Sequence, residues 1–151
     1  TTSGHGLIDK EAQNALITKL MPLSDIITPN LPEAEVLCGF PISNKEEQVK
    51  AAQKIAESYD GYIMIKGGHF DGGDDLLYKD GQVRWYPTKR VDTHNTHGTG
   101  CTLSSAIAAY LAKGEPMEDA VAKAKEYITG ALASGLDLGK GNGPVDHCFA
   151  L

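Results

Sequence analysis

Apolar residues recur every three or four positions over several stretches of the chain and bunch without interruption at two others, and this alternation lays out its elements. From Asp9 to Met21, Ala12, Leu16 and Leu20 share one face behind an Asp9 N-cap, and Pro22 helps to stop the helix. Asp25-Ile-Ile-Thr28 predicts a short buried strand closed by Pro29-Asn30. Pro32 then opens a short helix, Glu33 to Cys38, which Gly39 ends. Ser43 or Asn44 caps the next helix, with Glu46 and Glu47 in its first turn and Val49, Ala52, Ile55, Ala56 and Tyr59 facing inward.

Tyr62-Ile-Met-Ile65 predicts a second buried strand that runs into Lys66-Gly-Gly-His69, and the glycine- and aspartate-rich stretch Phe70 to Asp75 reads as a mobile loop. Two short strands, Leu76–Tyr78 and Val83–Tyr86, are joined through Asp80-Gly81, a strong hairpin signal. Leu103, Ile107 and Leu111, with Ala106 and Tyr110, give an apolar helix that opens directly behind Gly98-Thr-Gly-Cys101. Pro116 starts a last long helix carrying Val121, Ala124, Ile128 and Leu132, with Gly135 as its stop. Strands alternating with helices predict an α/β fold with a largely parallel central sheet flanked by helices. No internal repeat, low-complexity tract or linker interrupts it.

Composition narrows the function classes. A chain of 151 residues, 41% apolar and 23% charged with 17 glycines, suits one compact, turn-rich unit. A net charge of −6 without any Lys/Arg cluster argues against a nucleic-acid surface. No apolar run approaches a membrane span and no signal peptide is visible. Three cysteines, Cys38, Cys101 and Cys148, lack CxxC spacing, which argues against a disulfide framework or structural zinc and for a reducing, cytoplasmic setting. Thr1-Thr-Ser-Gly-His-Gly lacks an initiator Met and reads as the interior of a longer polypeptide.

The candidate chemistry centres on Asp92-Thr-His-Asn-Thr-His-Gly-Thr-Gly-Cys101. A glycine turn feeding a helix aims several backbone N–H groups and the positive end of the helix dipole at one spot, where a phosphoryl group would be stabilised. Cys101 stands at the mouth of that spot, where the thiolate is favoured, and can serve as base or nucleophile. No Gly-Lys-Ser/Thr follows, so the loop is not a Walker A motif, and Leu103 occupies the place of the third glycine of a dinucleotide fingerprint. Ordinary turn chemistry is the alternative, weakened by the flanking Thr96, Thr99 and Thr102.

Asn30 and Glu33 leave a strand end for the first turn of a helix, where an amide and a carboxylate suit a water-bridged Mg²⁺; plain helix capping explains them equally well. Lys66 and Gly68 follow another strand end and offer a point charge and close backbone approach to a phosphate, or simply a solvated turn. Lys125 lies mid-helix beside the apolar stripe, and a surface position accounts for it. His94, His97 and His147 lack metal-ligand spacing, and Gly141-Asn-Gly-Pro-Val-Asp-His147 reads as a turn returning the chain to the protein.

Thr28-Pro-Asn-Leu-Pro-Glu-Ala-Glu35, Lys66-Gly-Gly-His69, Asp92 through Ser105 and Gly143-Pro-Val-Asp-His147 together resemble the hydroxymethylpyrimidine/phosphomethylpyrimidine kinase family of thiamine biosynthesis, within the ribokinase-like superfamily. The resemblance runs over essentially all of the chain. It implies that residues 1–151 are the C-terminal, nucleotide-binding part of a single kinase domain whose N-terminal part is missing. It implies transfer of the ATP γ-phosphate to a hydroxymethylpyrimidine and then to its monophosphate, with Mg²⁺, in a homodimeric full-length protein. Gly98, Thr99, Gly100 and Cys101 then become the anion hole and base, Asn30 and Glu33 organise Mg²⁺ and phosphates, and Lys125 contacts phosphate.

The family's glycine-rich acceptor-binding half has no counterpart here. These residues alone are therefore expected to be inactive, and to expose an unpaired sheet edge that favours aggregation. Three other readings compete: a pyridoxal kinase of the same family, a non-catalytic nucleotide-binding fragment, and a cysteine hydrolase. The last would need a histidine base aimed at the sulfur and an oxyanion hole for a carbonyl, and His97 is too close in sequence to make that arrangement obvious.

Overall fold

The computed structural model describes residues 9–68, 73–136, 138 and 140–149. The opening Thr-Ser-Gly-His-Gly segment and residues 69–72, including His69 and half of the expected loop, lie outside them. The chain divides into two compact units, one ending at Thr88 and the other beginning at Lys89.

The first unit is built on a four-stranded sheet in the order β1 (Ile26–Ile27), β2 (Tyr62–Ile65), β3 (Asp75–Lys79) and β4 (Gln82–Tyr86). β1 and β2 run parallel, with Ile26 opposite Tyr62 and Ile27 opposite Ile63. β2–β3 and β3–β4 are antiparallel. The expected largely parallel sheet is thus a mixed one within these residues, for a chain-length reason. Residues 66–74 are fewer than the roughly dozen that a parallel crossover takes. At Asp80-Gly81 both residues adopt positive φ (48° and 82°), the primed turn that folds two strands back on each other. Among the described residues, only β1 and β2 are separated by helices, α2 (Leu31–Cys38) and α3 (Lys45–Ala56), and only these two strands run parallel.

β2 is the core strand, with Ile63, Met64 and Ile65 fully buried. Each such side chain contributes about 1.5–3 kcal/mol of hydrophobic stabilisation. Ala51, Ala52, Ile55 and Tyr59 pack with Ile63, Ile65 and Leu76 in one cluster, as the helical spacing required. Asn44 is the N-cap of α3, its side chain accepting from Glu47 N at 2.9 Å. Burial pushes the Tyr59 phenol above its usual pKa against the opposing pull of its hydrogen bond with Ser24. The Tyr59 hydroxyl also donates to Ser24 O at 2.9 Å.

Two features depart from the hydrophobic pattern. The first helix starts as expected, with Asp9 accepting from Ala12 N at 2.7 Å, but α1 (Lys10–Ala15) passes into a π-helical turn, Leu16–Leu20, and a 3₁₀ turn, Met21–Leu23. Met21 N donates to Leu16 O, five residues back, and this wider turn carries Met21 into the core. Leu16 and Leu20, expected to face inward, are 44% and 62% exposed. The second departure is Gln48, fully buried on α3. Its Nε2 donates to Ile65 O at 2.9 Å and to Asp74 O at 3.2 Å, tying the end of β2 to the start of β3.

The second unit pairs α4 (Thr99–Ala112) with α5 (Met117–Ala133). Leu103 and Ile107 of α4 and Val121, Ala124 and Ile128 of α5 are buried, as the sequence pattern placed them. Gly114 and Gly135, at φ 86° and 73°, adopt the left-handed conformation that suits helix ends.

Replacing Gln48 with Leu leaves the buried Ile65 carbonyl and the part-buried Asp74 carbonyl without their Gln48 donor. It is expected to destabilise the protein by about 1–3 kcal/mol. Urea unfolding of the full reading frame that carries this chain checks it, and an unchanged midpoint contradicts it.

Candidate phosphate site

The entry to α4 is shaped by one residue. Gly98, the N-cap, has φ 88° and nothing within 4 Å of where a Cβ would stand, so backbone torsion and not space demands glycine there. Its carbonyl accepts the first helical hydrogen bond, from Thr102 N at 2.8 Å. No side chain caps the helix. The Thr99 hydroxyl instead donates back to Thr96 O at 2.8 Å, and Thr99 N approaches the same carbonyl at 3.4 Å. The amides of Gly100 and Cys101 precede the first residue able to bond within the helix, so they face outward with the positive end of the dipole. Cys101 is exposed at this mouth, and Cys148 is also a free exposed thiol, whereas Cys38 is buried.

A groove of about 530 Å³ starts at Gly98 and Cys101 and runs along α4 past Ser105 to Lys113, with Tyr127 and His147 on its other side. Lys113 is a cation the sequence gave no reason to choose, since a lysine after the last turn of a helix ordinarily complements the dipole. Its ammonium stands 5.8 Å from the centre of the Tyr110 ring. Lys123 is engaged differently: its hydrogen bond to the Glu115 carboxylate raises its pKa. Lys125 is half-buried on α5 and is not part of the groove lining. His147 reaches the groove because the tail returns, as expected, to the loop: His97 and Pro144 form a parallel bridge.

In the first unit, the structure brings Asn30, Glu33 and Lys66 to the carboxyl ends of the parallel pair. Asn30 and Lys66 bridge in parallel, and Lys66 N donates to Pro29 O at 2.9 Å. Asn30 Oδ1 accepts from Glu33 N at 2.9 Å while Glu33 Oε2 accepts from Asn30 N at 2.8 Å, a reciprocal capping box. Capping therefore holds both side chains in place. Glu33 nevertheless remains exposed at the strand ends. Among the described residues no three His, Cys, Asp or Glu side chains gather as a metal cage. One exposed carboxylate is an oxygen ligand suited to Mg²⁺ that keeps its waters and takes phosphates as its other ligands.

Of the two glycines after Lys66, Gly68 is exposed with open space around it. Gly67 is the one under steric demand: a Cβ there would lie 2.1 Å from Asp74 O, and its amide donates to the buried Asp75 carboxylate at 2.9 Å. The close backbone approach expected of the Lys66-Gly67-Gly68 glycines is thus found at Gly67, toward the protein's own Asp74 backbone.

The model of the phosphomethylpyrimidine kinase family matches residues 1–146. The bifunctional thiamine biosynthesis protein ThiED of Geobacter sulfurreducens is 44% identical over 149 residues, covering 97% of this chain and 30% of that protein. The hydroxymethylpyrimidine/phosphomethylpyrimidine kinase of Streptomyces coelicolor is 42% identical, covering 98% of this chain and 55% of that protein. The chain thus spans about half, or less, of the length of these relatives. A pyridoxal kinase of Bacillus subtilis, solved as its ADP complex, superposes with a TM-score of 0.84 at 36% identity, covering 93% of this chain and 56% of that one. The α/β fold is the ribokinase-like one, and the chain belongs to the phosphomethylpyrimidine kinase family.

Proposed function

We propose that this chain is the C-terminal, nucleotide-binding part of a single ribokinase-like kinase domain that transfers the γ-phosphate of ATP to hydroxymethylpyrimidine and to its monophosphate. The observation that carries the reading is the uncapped first turn of α4 behind Gly98, with Cys101 exposed at its mouth. Phosphoryl transfer asks mainly for positioning and for stabilisation of charge on the transferring group. The outward amides of Gly100 and Cys101 meet that demand without reorganising. The Cys101 sulfur accepts the proton of the attacking hydroxyl, or of the phosphate acceptor, while the acceptor oxygen forms its bond to phosphorus and ADP leaves.

Thr96 and Thr99 hold the turn in shape through the bonds between them. In the other unit, Asn30 and Glu33 are proposed to organise Mg²⁺ and phosphates, with Lys66 and Gly68 at the neighbouring strand end on the nucleotide side. Mg²⁺ supplies charge neutralisation between phosphates when bound. A phosphate contact for Lys125 rests on the family resemblance alone. The same resemblance supports a homodimeric, cytoplasmic full-length enzyme. Among the described residues no helix is long and apolar enough to cross a membrane.

Pyridoxal kinase is the second reading, favoured by the likeness to the Bacillus subtilis enzyme. ADP release from MgATP by the full reading frame, with hydroxymethylpyrimidine phosphate and pyridoxal as separate acceptors, decides between them. Turnover of the pyrimidine phosphate is expected, and turnover of pyridoxal alone overturns it. Pyridoxal, being an aldehyde, could also trap Cys101 as a hemithioacetal, which the pyrimidine cannot.

Cys101→Ala is expected to lower kcat by about 10²–10⁴-fold with MgATP binding retained. Unchanged turnover removes the cysteine from catalysis. Glu33→Gln separates the two uses of that side chain, because glutamine also completes a capping box. The variant is expected to melt like the parent while needing several-fold more Mg²⁺ for half-maximal rate. An unchanged Mg²⁺ requirement leaves Glu33 a cap and nothing more.

A further inference from the structure

The phosphate loop is held from behind by the far end of the chain. His97 N donates to Gly143 O at 3.2 Å and Val145 N donates to His97 O at 3.3 Å, one residue ahead of the left-handed Gly98. Asn95 Nδ2 donates to Leu136 O, and a Cβ at Gly143 would stand 2.2 Å from Asn95 Oδ1. Among the described residues, these are the long-range hydrogen bonds of residues 93–98; the others stay within the loop or its helix.

The tail is itself fastened to α5. Val145 is 2% exposed, Asp146 N donates to Ala131 O at 3.4 Å, and the Tyr127 hydroxyl donates to His147 O at 3.0 Å. The Phe149 ring lies 5.3 Å from that of Tyr127 and sits over Gly130, where a Cβ would be 2.3 Å from the ring.

We propose that Gly143–Phe149 is a positioning strap: it clamps Asn95-Thr-His97 and thereby sets the direction of the Gly98–Cys101 amides and of the Cys101 sulfur. The helix start is uncapped, and the Thr99 hydroxyl ties its first turn to the loop in front, at Thr96 O. Its aim depends on the loop in front of it, and that loop is anchored by the tail. Phe149 and Gly130 are then positioning residues that act at a distance from the transferred phosphate. The kinetic consequence rests on the kinase reading; the structural one does not.

Gly130→Ala tests the strap cleanly. Alanine is the better helix former, so α5 is not weakened, while the new methyl displaces the Phe149 ring. Phe149→Ala is the second variant, and Phe149→Tyr the conservative one. In the full reading frame, Gly130→Ala and Phe149→Ala are expected to speed hydrogen exchange at His97 and Val145, whose amides make the bonds between loop and tail. Both are also expected to lower kcat about tenfold, within the up to 100-fold that a displacement of roughly 1 Å can cause. Phe149→Tyr is expected to restore both. Unchanged exchange overturns the strap, and faster exchange with full kcat overturns its positioning role. Should the parent turn over neither acceptor, the kinase reading fails by itself. The strap is then judged by exchange and by the rate at which iodoacetamide alkylates Cys101, read on its peptide: a rate unchanged by Gly130→Ala overturns the positioning.

Discussion

The second unit depends on a single backbone torsion, the left-handed conformation of Gly98. A β-carbon disfavours that torsion for most residues, and without it the chain could not turn from the 93–97 loop into α4 with the first amides facing out. The consequence reaches from local geometry to chemistry. A helix start that no side chain caps is an unfinished set of hydrogen bonds, and an anion completes it. Cys101, two residues into the helix, occupies the one place where a sulfur stands beside both the dipole and those amides.

The Thr99 hydroxyl ties this turn to the loop at Thr96, and the further constraint comes from elsewhere in the chain. The returning tail supplies it through the His97–Pro144 bridge, the grip on Asn95 and the stacking of Phe149 on α5. The same economy appears in the first unit. There the Asn30–Glu33 box caps α2 and, in doing so, holds a carboxylate at the carboxyl ends of two parallel strands. That carboxylate then has a structural use and a proposed ligand-directed one. A glutamine substitution distinguishes them because it preserves the hydrogen-bonding shape and removes the charge.

Beneath both groups lies ordinary core packing. β2 is buried along Ile63, Met64 and Ile65, and Gln48 reaches its last carbonyl from α3. The turn that carries Lys66 and Gly67 is pinned on both sides, by Gln48 on Ile65 and Asp74, and by the Asp75 carboxylate on Gly67. A buried amide in such a position contributes little net attraction but would be expensive to remove, because the Ile65 carbonyl it serves is itself buried.

Much of this was legible in the residues themselves. The Asp80-Gly81 hairpin, the β2 run, the Asn44 and Asp9 caps and the opening of α4 behind Gly98 follow from local torsional preference and periodicity. Both act over a few neighbouring residues and leave a direct imprint on sequence. The family pattern in Asn95 through Ser105 was legible for the same reason. Tertiary structure alone decided the rest. It turned Leu16 and Leu20 outward where the helix widens, buried Gln48, set Gly67 against the Asp74 backbone, and brought Lys113 and His147 to one groove with Cys101. Each of these depends on partners distant in the chain, and no residue's own chemistry records which partner it will meet.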